Sequence, residues 1–150
     1  MNSNDVVKLL TRFGTEIGLS VSGIADAAEK ALKHIDECNT SGFDEIIQSC
    51  YMYNTGDLYH GAAVFREILN MSTCDEDISL GVLVMFGSKL RIPLTVMADR
   101  ISAINTDVNM QDRMFTMASL ITSCETRDRV ALFYGAAVYA SVMCLINEVL

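Results

Sequence analysis

The chain has 150 residues, of which 51% are hydrophobic and 20% charged, and 11 basic against 19 acidic side chains leave a net charge of −8. That length fits a single domain over residues 1–150 with one core, and with one proline and no low-complexity tract the composition excludes disorder. An acidic surface without a Lys/Arg cluster repels phosphate, which excludes nucleic acid as a partner.

Five cysteines, Cys38, Cys50, Cys74, Cys124 and Cys144, form an odd set without C-x-x-C spacing, each in or beside an apolar helical pattern. That is cytosolic usage, with thiols serving as small buried hydrophobes. Met1 to Val7 is polar and lacks the basic-then-apolar order of a signal peptide.

Taken in order, Asp5–Leu19 places Val6, Leu9, Leu10, Phe13 and Ile17 at helical spacing behind Ser3 and Asn4, which suit a helix start. A second helix begins after Ser20 or Ser22, with Val21, Ile24, Ala28, Ala31, Leu32 and Ile35 on one face and the pairs Asp26/Lys30 and Glu29/Lys33 opposite. The turn residues Asn39 to Gly42 end it. Phe43–Tyr53 reads as a short helix, and Asp57 to about Met71 as the next, with Leu58, Ala62, Phe65, Ile68 and Leu69 inward.

The run Ile78 to Phe86 is apolar nearly all round, which predicts a segment buried on every side. No second strand candidate exists to pair with it, so a helix is expected over 78–92, placed at the centre of the bundle. Gly81 and Gly87 inside it mark close approach of another backbone, in plain helix packing or, for Gly81, at the mouth of a groove. Pro93 bends or ends that helix, Leu94–Ile104 starts another, and Met110–Cys124 follows with Met114, Met117, Ala118 and Ile121 inward. Asp128–Val149 closes the chain. Val130–Ile146 sits at the short limit of about 17 residues for spanning a bilayer, and a buried core helix is favoured there over a tail anchor. The fold class is therefore all-α, a bundle of about eight helices around a central hydrophobic helix.

The segment Cys74-Asp75-Glu76-Asp77-Ile78-Ser79-Leu80-Gly81-Val82-Leu83-Val84 resembles the first homology motif of the Bcl-2 family, roughly D-G-V-N-W-G-R-I-V. Arg127-Asp128-Arg129-Val130-Ala131-Leu132-Phe133-Tyr134-Gly135 resembles the second, W-D-A-F-V-E-L-Y-G, with Asp128, Tyr134 and Gly135 matching outright. Val64 to Asn70 is similar to the helix that precedes the first motif, and the resemblance covers about residues 58–140. The compact chain is most similar in style to the divergent Bcl-2 homologues of large DNA viruses. The departures are specific: Val82 stands where the family has the arginine that pairs with an aspartate of the bound helix, and no tryptophan is present. Arg66 or Lys89 is the basic residue that could take over that pairing.

The resemblance implies an apoptosis inhibitor, cytoplasmic in a host cell or peripheral at the mitochondrial outer membrane, that sequesters the amphipathic BH3-type helix of pro-apoptotic proteins. Membrane association is compatible with this role but not required. Helix-in-groove binding reads i, i+3, i+4, i+7 anchors into apolar pockets. The candidate groove residues are Phe43, Ile47, Phe65, Ile68, Leu69, Ser79, Gly81, Val82, Met85 and Tyr134, with Ser79 able to cap a polar ligand group; an aromatic or aliphatic residue at helical spacing is more often core than pocket, so each of these is a core candidate as well.

The alternative is a Bcl-2-fold viral protein acting through self-association as a homodimer or through inhibition of inflammatory signalling. Enzymatic activity, a cofactor and a metal are not expected. His34 and Cys38, i,i+4 on one helix, are too few to hold a metal, and His60 beside Tyr59 and Asp57 lacks a nucleophile.

Overall fold

The computed structural model describes residues 3–37, 42–72, 76–108 and 119–149. These form α1 (Ser3–Glu16), α2 (Val21–Glu37), α3 (Gly42–Ser49) with a 3₁₀ turn at Cys50–Met52, α4 (Thr55–Ser72), α5 (Glu76–Lys89), α6 (Leu94–Val108) and α7 (Arg129–Val149). A helical turn at 119–122 leads into α7, and no strand occurs among the described residues. The protein is all-α. The expected helix over Met110–Cys124 falls mostly on residues outside the described ones, including Met114 and Met117.

Local chemistry sets the helix ends. Ser20 Oγ accepts from the Gly23 amide at the start of α2, Asn54 Oδ1 from the Asp57 amide at the start of α4, and Asp128 Oδ1 from the Val130 and Ala131 amides at the start of α7. Each side-chain oxygen satisfies amides that the first turn leaves without a carbonyl. α1 stops at Gly18, whose φ of 78° lets the Leu19 amide reach back to the Gly14 carbonyl. α5 stops the same way, but the left-handed residue there is Arg91, φ 61°, with the Arg91 amide on the Ser88 carbonyl and the Ile92 amide on that of Gly87. Pro93 follows and prevents continuation.

The centre of the bundle is the pair α4 and α7. Every residue from Leu58 to Leu69 and from Ala131 to Met143 is buried. α1, α2, α5 and α6 pack around that pair. This corrects the expectation that residues 78–92 are central: Ile78, Val84 and Met85 remain 37%, 37% and 39% exposed, so α5 buries one face only. Hydropathy ranks segments by apolar content, but placement follows which helices can approach closely. α4 and α7 can, because Gly61 faces the Leu132 carbonyl and Gly135 faces that of Leu58, where any Cβ would collide with backbone.

Gly87 is also a packing glycine, with Met97 Sδ and the Tyr59 ring 2.5 Å from where its Cβ would be. Gly81 is not: nothing lies within 4 Å of its missing Cβ among the described residues, so the expected close approach is absent there.

α7 is a core helix, and among the described residues no helix is long and apolar enough to cross a membrane. Cys50 and Cys124 are buried free thiols, and burial raises their pKa to about 12 and about 11.

Candidate functional site

α5 presents an apolar face that the described helices leave partly uncovered. At about 100° per residue, Ile78, Gly81, Val84 and Met85 share one face, flanked by Asp77 at the first turn and Ser88 and Lys89 at the last, and all seven are exposed. The opposite face, with Ser79, Val82, Leu83, Phe86 and Leu90, is buried. Where the exposed face reaches α3 a cleft of about 420 Å³ opens, lined by Asp44, Ile47, Gln48, Tyr51, Ser88, Lys89 and Arg91. Lys89 Nζ donates to Asp44 Oδ1 at 3.1 Å across this cleft, both side chains being well exposed. Tyr51 is 58% exposed beside them.

The ten expected groove residues divide sharply. Gly81 and Met85 are exposed on α5, and Ile47 lines the cleft although it is itself buried. Phe65, Ile68, Leu69, Val82 and Tyr134 are enclosed by the chain's own helices and build the core instead of an open pocket. The side chain of Phe43 lies outside the described residues.

Ser79 is fully buried; its hydroxyl donates to Asn70 Oδ1 at 2.9 Å, and its carbonyl accepts from the Tyr139 hydroxyl at 2.8 Å. It therefore ties α4, α5 and α7 together, so the expected role in capping a ligand is replaced by an internal one. Tyr134 likewise points inward, donating to Ser49 Oγ at 2.7 Å and stacking on Tyr53 at 4.6 Å.

Of the two basic residues expected to replace the motif arginine, Arg66 is 2% exposed and paired with Glu67 in the core. Lys89, with Arg91 beside it at the cleft, is the one at the surface. Tyr51 and Arg91 line this cleft in addition to the residues expected from the sequence, Arg91 only two positions from Lys89.

A second polar cluster lies at the other end of α4. His60 Nε2 is 3.2 Å from Ser123 Oγ, and Ser123 in turn donates to the Leu120 carbonyl. With the Ser123 proton committed there, His60 is the donor in the first contact. A histidine acting as base on that hydroxyl needs the reverse direction. Burial, then the charges of Arg127 and Arg100, lowers the His60 pKa to about 3, so the ring is neutral. Asp57 binds Arg127 at 3.3 Å, not His60, whose Nδ1 has no partner. The cluster fastens the 119–127 segment to α4. Ser123 was invisible in the sequence because it is 63 positions away from His60.

No group of three or more His, Cys, Asp or Glu side chains able to hold a metal occurs among the described residues. The side chains of His34 and Cys38 lie outside those described. Compared with known proteins, the chain matches no family model, no curated protein and no solved structure at a significant level.

Proposed function

We propose that this chain is a protein-interaction domain that sequesters an amphipathic BH3-type helix of a pro-apoptotic partner, in the manner implied by its two Bcl-2-like motifs. The observation that carries the reading is the exposed face of α5, Ile78, Gly81, Val84 and Met85, whose C-terminal end at Ser88 and Lys89 lines the α3/α5 cleft. Apolar side chains presented at helical spacing suit the i, i+3, i+4, i+7 anchors of a second helix. Gly81 admits the visiting backbone, since nothing stands over it. Lys89 and Arg91 supply positive charge at the cleft for an acidic residue of the ligand, which offsets the loss of the motif arginine at Val82. On this reading the protein works as a compact viral homologue, in the host cytoplasm or at the mitochondrial outer membrane, which is what the resemblance implies.

Titration with peptides of pro-apoptotic amphipathic helices tests this. Binding in the micromolar range or tighter is expected, removed by Gly81→Arg and weakened by Lys89→Glu while far-UV circular dichroism stays unchanged. Absence of binding by every such peptide at high micromolar concentration defeats the proposal.

A second reading, a Bcl-2-fold protein that acts through self-association or by blocking inflammatory signalling, draws on Val82. That residue is 4% exposed, so the position of the family's ligand-pairing arginine faces the core here. A chain that binds no peptide yet forms stable oligomers fits this reading.

A further inference from the structure

We infer that Arg91 is the specificity-determining cation of the α3/α5 cleft, that it takes a carboxylate of the partner helix, and that the left-handed backbone at the end of α5 is what holds it there. The inference rests on the helix-binding function proposed above and adds which residue reads the ligand's charge.

Arg91 is the one residue other than glycine with a positive φ among the described residues, at 61°. An L side chain is crowded in that conformation, and the position just past a helix C-terminus that requires it ordinarily goes to glycine. Two backbone hydrogen bonds fix the turn, from the Arg91 amide to the Ser88 carbonyl and from the Ile92 amide to the Gly87 carbonyl, each 3.0 Å. The side chain returns nothing to the fold. It is exposed, and no ion pair or side-chain hydrogen bond engages it among the described residues. A crowded backbone conformation that the rest of the turn enforces, carrying a side chain the fold does not use, is the signature of a residue kept in place for a ligand.

The charges of the cleft single out the same residue. Three charged side chains line it, Asp44, Lys89 and Arg91. Lys89 Nζ lies 3.1 Å from Asp44 Oδ1, so these two offset one another and the uncompensated charge belongs to Arg91, on a chain of net charge −8. A carboxylate arriving at Lys89 has to displace Asp44, whereas one arriving at Arg91 displaces water. The planar guanidinium also offers paired N–H donors that match the two oxygens of a carboxylate, which an ammonium does not.

Peptide titration combined with urea unfolding tests this, because the two readouts should move in opposite directions. Arg91→Gly should raise the urea midpoint, since glycine takes a positive φ without crowding, and weaken binding of a pro-apoptotic helix peptide several-fold. Binding lost while stability is gained does not come from a damaged fold. Arg91→Lys, which keeps the charge without the fork, should recover part of the affinity. Replacing the acidic residues of the peptide one at a time by their amides should identify one whose loss costs as much as Arg91→Gln, and the two changes together should cost no more than either alone. Binding that Arg91→Gln leaves unchanged, or losses that add for every acidic residue of the peptide, overturns the inference and leaves the proposed function standing. A lowered urea midpoint in Arg91→Gly overturns it as well, because the residue then serves the fold. Absence of binding by any peptide defeats the proposed function and this inference with it.

Discussion

Gly61 of α4 and Gly135 of α7 meet at one helix crossing, each facing the carbonyl that precedes the other by one turn, Leu132 and Leu58. The obstruction on both sides is backbone, which cannot rotate away as a side chain can. Gly61→Ala and Gly135→Ala are each expected to destabilise the fold by about 2–3 kcal/mol, near the upper end of overpacking costs, with loss of cooperativity in the double variant. Urea unfolding followed by circular dichroism measures it. Gly81→Ala, with open space at its Cβ, is the contrast: at an exposed helix position it should gain up to about 1 kcal/mol.

Burial holds His60 neutral, with its pKa lowered to about 3 from the ordinary 6.5. A lowered folded-state value means that the unfolded chain takes up the proton first. Stability is therefore complete above pH 6.5 and falls as the pH drops from 6.5 toward 3. Between pH 7 and pH 5 the linked loss amounts to about 2 kcal/mol for one such group. In His60→Gln, whose amide can still donate to Ser123, the difference in urea midpoint between pH 7 and pH 5 should shrink accordingly. An unchanged difference would place the acid sensitivity elsewhere.

Cys50 and Cys124 carry thiols whose pKa burial raises to about 12 and about 11. Because the thiolate is the reactive form, both should resist iodoacetamide in the native protein at pH 8. Alkylation should appear only with denaturant, as read by mass spectrometry of the peptides containing them. Labelling of either under native conditions would contradict the packing of α3 or of the 119–127 segment.

The Tyr139 hydroxyl reaches from α7 to the Ser79 carbonyl on α5 at 2.8 Å. Tyr139→Phe keeps the ring, which packs edge-on against Phe65, and deletes the hydroxyl that makes that bond. A loss of about 1 kcal/mol is expected, the ordinary contribution of one internal hydrogen bond. Thermal unfolding resolves it.

Most helix boundaries were readable because capping residues and apolar spacing are local signals: the second helix was expected from Val21 to Cys38 and runs Val21–Glu37. The identity of the central helix was not readable. α4 looks amphipathic, with Tyr59, His60, Arg66 and Glu67 in its middle, yet all four are buried: Arg66 pairs with Glu67 on the same helix and His60 with Ser123 on the approach to α7, while the Tyr59 hydroxyl has no hydrogen-bond partner among the described residues. Pairing of that kind is a property of the folded chain. α5 looks wholly apolar but has an exposed face, since an uninterrupted hydrophobic run contains no mark of which side lacks a neighbour. The same ambiguity bears on the expected groove residues. Phe65 and Leu69 have the residue type of a binding pocket, and residue type alone does not separate an open pocket from a filled one.

The α4/α7 pair joins segments far apart in sequence: the Asp57–Arg127 ion pair beside it links positions 70 residues apart. Contacts between segments so distant raise the contact order above that of a bundle of sequential neighbours, and closing so long a loop before the principal contacts form slows folding. During synthesis α4 lacks its principal mate until α7 leaves the ribosome, so its arginine, glutamate and histidine meet more water before that point than after it. Those charges keep the nascent helix soluble while its apolar side chains are uncovered, a second use for groups that the finished fold hides.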